Sequence, residues 1–289
     1  MSAPIQGRII KAVSGFYHVK TAYGVIISQP RGIFRKDGEK PLAGDMVELE
    51  IFADETGVIN RILPRRNSFK RPPLANLDQI IYVVSTAEPP PNKPVIDRML
   101  AIAEYKKIAS AIVITKLDID CSNELEQIYA GAGYNVLKTS DLQKILDMLS
   151  GKVSALSGNS GVGKSTLINK LLPELDLPTS EISKKLGRGK HTTRHVELFE
   201  LECGGFLADT PGFSAVNTLE YDIIDKNDLQ YIFLEFAPLL GKCRFTGCSH
   251  TVEKECAVLE ALKQGKIHSG RHKSYADMYS ESKNYKPYN

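Results

Sequence analysis

A chain of 289 residues, 42% hydrophobic and 25% charged, has the make-up of a soluble globular protein of about two domains, three if they are small. No apolar run reaches the roughly 18 residues that span a bilayer, and the N-terminus lacks the apolar core of a secretory signal, so a cytoplasmic protein with reduced thiols is expected. The net charge of +3 is uneven: residues 1–71 carry twelve Lys/Arg against seven Asp/Glu, a balance of +5 that leaves −2 for the remainder, which suggests either a polyanionic partner or a solvated basic face.

Residues 5–63 read as five short strands (7–13, 16–21, 24–28, 45–52 and 57–63), with turn residues at Ser14-Gly15, Ala22-Tyr23-Gly24, Asp37-Gly38 and Glu55-Thr56-Gly57. Five short strands in some sixty residues suit a small closed barrel of the oligonucleotide-binding (OB) type. Such barrels bind nucleic acid with aromatics that stack and cations that meet phosphates. Phe16, Tyr17, Tyr23, Phe34, Arg31, Arg35 and Lys36 are available for this, although Phe16 and Tyr23 read more readily as core residues and the loop 31–36 is the better candidate for contact. The stretch 63–73 holds prolines, four cations and no acid, and reads as a solvated linker or a second contact for an RNA backbone.

Residues 78–85 form a continuous apolar run, the mark of a strand buried on both faces. A proline loop, a helix over 94–109 and a second buried strand over 110–114 follow, an alternation that indicates a doubly wound α/β domain. The second strand runs into Thr115-Lys116-Leu117-Asp118, of the form [N/T]-K-x-D, at the strand end where such folds bind ligands. The Asp118 carboxylate can accept hydrogen bonds from N1–H and the exocyclic amine of guanine, a donor pair that adenine lacks. The Lys116 stem can pack on the purine. After a helix over 123–130, a strand at 136–140 ends in Thr139-Ser140, which could offer backbone N–H to guanine O6.

Next comes Gly158-Asn159-Ser160-Gly161-Val162-Gly163-Lys164-Ser165, a full G-x-x-x-x-G-K-[S/T] match, followed by Thr166. It lies between the apolar strand 153–156 and a helical pattern over 166–172, the context a phosphate loop needs. Its glycines let backbone N–H groups face a phosphate chain at a helix N-terminus. Lys164 would reach the β- and γ-phosphates, and Ser165 would ligate Mg²⁺. The acid-free segment 184–194 contains Gly189-Lys190-His191-Thr192-Thr193, a loop whose Thr193, in preference to Thr192, could complete the Mg²⁺ shell. The strand 205–208 then delivers Asp209-Thr210-Pro211-Gly212, with Asp209 toward Mg²⁺ and the Gly212 N–H toward the γ-phosphate. Ordinary GTPases run phosphate loop, switch threonine, D-x-x-G and then [N/T]-K-x-D; here the last element precedes the first three. The chain therefore looks like a circularly permuted GTPase, a rearrangement that closely spaced surface termini permit.

The tail carries Leu229, Ile232, Phe233 and Phe236 at helical spacing, then Cys243, Cys248, His250 and Cys256 as C-x4-C-x-H-x5-C, the donor set of a closed structural zinc site. Cys121 and Cys203 read as inert thiols. Lys266, His268, Arg271, His272 and Lys273 form a basic stretch, and residues 284–289 look like a disordered end.

This order of motifs, with a basic N-terminal barrel and a C-terminal finger, resembles the bacterial ribosome small subunit-dependent GTPase A family (RsgA, also called YjeQ or YloQ) over nearly the whole chain. The resemblance implies an OB barrel over 1–64, a permuted GTPase domain over 65–217 and a helical zinc-binding domain over 218–289. It also implies a monomeric cytoplasmic factor that binds the 30S subunit and 16S rRNA late in assembly, hydrolyses GTP to GDP when the subunit stimulates it, and leaves. Thr115 and Arg194 replace residues usual in the family. Many GTPases place a glutamine after D-x-x-G to orient water; Phe213 stands there, so His191 becomes the candidate, as the resemblance also suggests. Two other functions compete. One is a GTP-gated RNA-binding module with incidental hydrolysis. The other is a small-molecule kinase, which the Asp118 tetrad and the absence of an evident acceptor pocket disfavour.

Overall fold

The computed structural model describes residues 4–32, 34, 40–69, 72–175, 196–209 and 224–285, with the Asp209 side chain excepted. The barrel strands are β1 (Ile5–Val13), β2 (Phe16–Thr21), β3 (Gly24–Pro30), β4 (Met46–Ile51) and β5 (Thr56–Ile62), and a two-residue hairpin follows, β6 (Ser68–Phe69) and β7 (Leu74–Ala75). Then come β8 (Gln79–Ser85), α1 (Lys93–Tyr105), β9 (Ala109–Thr115), α2 (Glu124–Gly131), β10 (Asn135–Lys138), α3 (Leu142–Leu149), β11 (Val153–Ser157) and α4 (Lys164–Leu171). The remainder is β12 (Glu197–Glu200), β13 (Phe206–Asp209), α5 (Leu229–Ile232), α6 (Ala257–Lys263) and α7 (Ser269–Asn284). By contact the chain forms two units, one of Met1–Gln79, Gln143–Leu156 and Ser165–Phe213, the other of Ile80–Leu142, Ser157–Lys164 and Ser214–Asn289.

In the first unit β1 pairs with β2, β2 with β3, β3 with β5 in parallel, β5 with β4, and β4 back with β1. The five-stranded barrel is thus closed, with Ile9, Tyr17, Val19, Ile26, Val47, Leu49, Ile59 and Ile62 inside. Alternation of apolar and polar residues selects this outcome, since successive strand residues face opposite sides. The β1–β2 turn has φ of 50° at Ser14 and 86° at Gly15, the doubly left-handed turn whose twist suits a two-residue hairpin. Phe16 and Tyr23 are not core residues: they are 45% and 76% exposed, and neighbouring Tyr17 fills the interior instead. The 63–73 stretch is no freely solvated linker either. Arg65 makes two 2.7 Å bonds to the buried Asp45 carboxylate, Arg66 pairs with Asp78 at 2.7 Å, and the β6–β7 hairpin bridges to Ala43 through Leu74. β1 also pairs with β12 at Lys11–Glu197, β12 with β13, and β13 in parallel with β11.

In the second unit β8 lies beside β9, which pairs in parallel with β10. All seven β8 residues are buried, as its unbroken apolar run requires. The aromatic repeat beyond residue 224 packs Leu229, Ile232, Phe233 and Phe236 with Tyr275 and Met278 of α7 and Ala101 and Ile102 of α1. The basic stretch 266–273 is only partly a surface. His272 is buried and Arg271 is 2% exposed, donating from Nη1 to Asp97 Oδ1 at 2.9 Å and from Nε and Nη2 to Glu235 at 2.8 and 3.0 Å. Ser274 Oγ donates to the other Asp97 oxygen at 2.5 Å. Burial alone would lower the Arg271 pKa; the hydrogen bonds and charge of Glu235, with the Asp97 charge, outweigh it and raise the value. Removing the Arg271 guanidinium would leave the Asp97 and Glu235 carboxylates buried without a counter-charge. Arg271→Met is expected to cost about 3–5 kcal/mol, read as a lower urea midpoint; a midpoint unchanged from wild type would contradict the role given to this network.

Candidate functional site

The phosphate loop follows β11, whose five residues are all buried, and opens α4. Gly158 sits at φ 147°, where a side chain is strained, and a Cβ there would lie 2.4 Å from the Val83 carbonyl oxygen. Only glycine lets the backbone pass that close to β8. Gly161 and Gly163 also have positive φ, so successive N–H groups can turn into one concavity. Lys164 Nζ donates to the Gly158 and Asn159 carbonyls at 2.7 and 2.6 Å, which places the cation over the loop itself. Ser165 and Thr166 lie in the first turn of α4.

Thr115 joins the 115–118 tetrad to this loop. Its buried hydroxyl donates to the Val162 carbonyl at 2.6 Å, so the motif's first residue braces the phosphate loop. Lys116 has φ 59° and its ammonium donates to the Glu88 carbonyl. Leu117 is half-buried and Asp118 exposed, with no partner for its carboxylate among the described residues. Of the next pair, Thr139 N–H donates to the Ile114 carbonyl at 3.0 Å. It is therefore engaged with β9, whereas Ser140 N–H has no backbone acceptor among the described residues. Asp209 ends β13 in register with Leu156, two residues ahead of Gly158. His191, Thr193 and Gly212 lie outside the described residues, as does the Asp209 side chain.

A second cluster lies in the tail. The ligand atoms of Cys243, Cys248, His250 and Cys256 are all within 4.8 Å of one another, and the cysteines are free. Tetrahedral bonds of about 2.3 Å to sulfur and about 2.0 Å to nitrogen would set S···S near 3.8 Å and S···N near 3.5 Å. Cys243 and Cys256 Sγ are 3.8 Å apart, and His250 Nδ1 is 3.5 and 3.4 Å from them. The donor set thus fits a tetrahedral metal ion. Burial pushes the Cys248 thiol up to about 12 and lowers the His250 pKa, so thiolates here need a cation beside them.

Residues outside the motif position this cluster. Gln230 Nε2 donates to the Asn227 carbonyl at 3.3 Å, which turns Oε1 toward His250 Nε2 at 3.1 Å. With Gln230 Oε1 as acceptor, the His250 proton sits on Nε2, which leaves the Nδ1 lone pair facing the space between the cysteine sulfurs. From α7, His272 Nε2 donates to the His250 carbonyl at 2.8 Å and Tyr275 Oη to the Ser249 carbonyl at 2.9 Å. Burial would raise the Glu253 carboxyl, but bonds from the Ser249 hydroxyl and from backbone N–H of Ser249 and Val252 hold it at about 2. Gln230 precedes Cys243 by thirteen residues with no spacing rule to reveal it; Glu253, an acid inside the C-x4-C-x-H-x5-C span, was open to inspection.

The barrel's cations are less available than the charge count suggests. Lys11 pairs with Glu197 at 2.8 Å, Lys20 with Glu200 at 2.7 Å, Arg31 with Glu50 at 3.7 Å and Arg61 with Glu48 at 4.0 Å. Exposed pairs of this kind contribute about 0–1 kcal/mol each, so they are easily exchanged for another anion. Phe16 of β2, Val25 and Ile27 of β3 and Tyr23 in the turn between them are exposed apolar side chains. Arg35 and Lys36 lie outside the described residues.

The model of the RsgA GTPase family matches residues 62–219, and that of the RsgA N-terminal domain matches residues 6–59. The small ribosomal subunit biogenesis GTPase RsgA of Geobacillus sp. (strain WCH70) is 44% identical over 293 residues, covering 98% of this chain and 99% of that protein. Its namesake in Caldanaerobacter subterraneus subsp. tengcongensis is 42% identical over 287 residues, 96% of each chain. Among solved structures, YjeQ from Thermotoga maritima superposes with a TM-score of 0.82 at 31% identity, covering 98% of this chain and all of that one. YloQ, described as a circularly permuted GTPase, superposes with a TM-score of 0.80 at 33% identity, covering 100% and 98%.

The bond from Gln230 leads to an expectation for the metal cluster. Gln230→Ala should weaken binding of Co²⁺, used as a spectroscopic probe, about 10- to 100-fold in a chelator competition, with the thiolate charge-transfer band retained at saturation. Equal affinity in the two proteins would show that His250 needs no such partner.

Proposed function

The chain belongs to the RsgA GTPase family, and from that membership we propose how its residues share the work of a GTPase in small ribosomal subunit biogenesis. The working parts are a barrel over 1–64, the circularly permuted GTPase domain over 65–217 and a metal-binding helical domain over 218–289. The observation that carries the nucleotide assignment is the Thr115 hydroxyl bond to the Val162 carbonyl at 2.6 Å, which makes one constellation of the base tetrad and the phosphate loop.

In this reading Asp118 accepts from guanine N1–H and the exocyclic amine, the Lys116 stem covers the purine face, and Ser140 N–H meets O6. Adenine would leave the Asp118 carboxylate facing an acceptor, a mismatch that discriminates strongly. The N–H groups of residues 158–164 surround the β-phosphate, and Lys164 exchanges its carbonyl partners for β- and γ-phosphate oxygens. Ser165, Thr193 and Asp209 hold Mg²⁺, which when bound neutralises charge developing on the β- and γ-oxygens. Gly212 N–H senses the γ-phosphate. Phe213 cannot orient water, so His191 holds the attacking molecule in line with the γ-phosphorus; the bond to the GDP oxygen breaks, giving GDP and phosphate. We assign zinc to Cys243, Cys248, His250 and Cys256, on the thiolate-rich donor set and its spacing.

The partner is the 30S subunit through 16S rRNA, in the cytoplasm, and the factor acts as a monomer. The relatives' names support the subunit; the barrel's exchangeable ion pairs and exposed aromatics support RNA contact. GTP hydrolysis with and without purified 30S subunits tests this reading, with many-fold stimulation expected. Equal rates would instead favour a GTP-gated RNA-binding module. His191→Ala should lower the stimulated rate by about 100-fold or more while GTP affinity stays near that of wild type; unchanged stimulation would remove His191 from the mechanism.

A further inference from the structure

We infer that Thr86 is a positioning residue for guanine recognition, although it lies outside every nucleotide-binding motif in the chain. It stands just past β8, and its half-buried hydroxyl donates across two carbonyls of the base tetrad, Thr115 O at 3.2 Å and Lys116 O at 3.0 Å. Its own N–H also donates to Thr115 O at 3.2 Å. The residue 29 positions upstream thus holds both peptide units that lead into Leu117 and Asp118.

Those peptide units need holding. Lys116 is left-handed, φ 59°, a conformation that non-glycine residues adopt only when their surroundings impose it. The Lys116 carbonyl is the hub of the turn that carries Asp118: it also accepts from Ile119 N–H at 3.0 Å and Asp120 N–H at 3.2 Å. Asp118 lies inside that turn and its carboxylate has no partner among the described residues, so its aim depends on the backbone beneath it. The loop after Thr86 adds a second hold through Glu88, whose carbonyl accepts from the Lys116 ammonium. That loop is itself braced by Ser85 Oγ, which donates to the Ala87 and Pro89 carbonyls at 3.0 and 2.6 Å. Loss of the Thr86 hydroxyl removes a side-chain bond that spans the left-handed residue.

This inference rests on the assignment of guanine to Asp118, so the experiment tests the two separately. Steady-state hydrolysis is measured with GTP, inosine triphosphate (which lacks the exocyclic amine) and xanthosine triphosphate, for wild type, Thr86→Val, Thr86→Ser and Asp118→Asn. Thr86→Val keeps the side-chain shape and should raise the KM for GTP about tenfold, lower the GTP-to-inosine ratio of kcat/KM several-fold, and leave the loss on KM rather than kcat. Thr86→Ser, which restores the hydroxyl, should return the ratio to that of wild type. An unchanged ratio in Thr86→Val, with or without a lower melting temperature, overturns the positioning role, as does failure of the serine variant to rescue it. Asp118→Asn reports on the underlying assignment alone: a shift toward xanthosine triphosphate upholds it, and retained GTP preference removes it together with the role of Thr86.

Discussion

The Thr115 hydroxyl reaches the Val162 carbonyl over 2.6 Å inside the protein, with the Val84 carbonyl as a second acceptor at 3.3 Å. A buried hydroxyl that lost this partner would carry a desolvation cost of about 1–3 kcal/mol, so the bond holds two loops in one geometry. It ties the 115–118 tetrad to the phosphate loop. The phosphate loop by itself binds the polyphosphate of any nucleotide. Asp118 by itself is a surface carboxylate after a strand. Held at a set separation, the two could meet opposite ends of one ligand, and orientation of this kind is where binding energy becomes specificity.

The same bond accounts for the tolerance of rearranged order. Thr115 precedes Val162 by 47 residues, whereas in the ordinary arrangement it would follow. Physical chemistry acts on the folded neighbours, not on their order along the chain. What permutation changes is which connections run between elements. Here Asp209 ends a strand in register with Leu156, and the described chain resumes at Ile224 with the hydrophobic cluster of Leu229, Phe233 and Phe236. The last nucleotide motif is thereby followed directly, along the sequence, by the metal-binding tail.

Within the second unit one turn of α7 serves two neighbours. Arg271 and Ser274 are bound to Asp97 of α1, while His272 and Tyr275 hold the carbonyls of His250 and Ser249. The apolar cluster around Phe236 fills the space between them, with Tyr275 packed on its ring at a centroid distance of 4.8 Å. The metal cluster is therefore seated on the same helix that buries a charge pair with the nucleotide-binding α/β layer. Desolvation offsets most of the attraction in a buried charge network of this kind, so its presence alone adds little net stability.

Local patterns were enough for much of this protein. Short runs bounded by turn residues marked all five barrel strands to within two residues at either end, and the unbroken run at β8 correctly signalled burial on both faces. The eight-residue phosphate loop, the tetrad at 115–118 and the C-x4-C-x-H-x5-C set were legible because each requires particular residues at fixed spacing, whatever the rest of the chain does. What stayed hidden depended on partners far away in sequence. Arg271 looked like one of a run of surface cations until Asp97, 174 residues earlier, and Glu235 enclosed it. Lys11 and Lys20 counted as free charge until Glu197 and Glu200 met them. Thr139 N–H was open to guanine in the sequence, and the structure commits it to Ile114. Thr86 and Gln230 belong to no motif, and their roles come solely from the atoms they face. Composition and spacing determine which chemistry a chain can perform, since those are properties of residues and their near neighbours. Which cation is paired, which N–H is free and which hydroxyl holds a turn in place are properties of contacts between distant residues, and only the tertiary structure decides them.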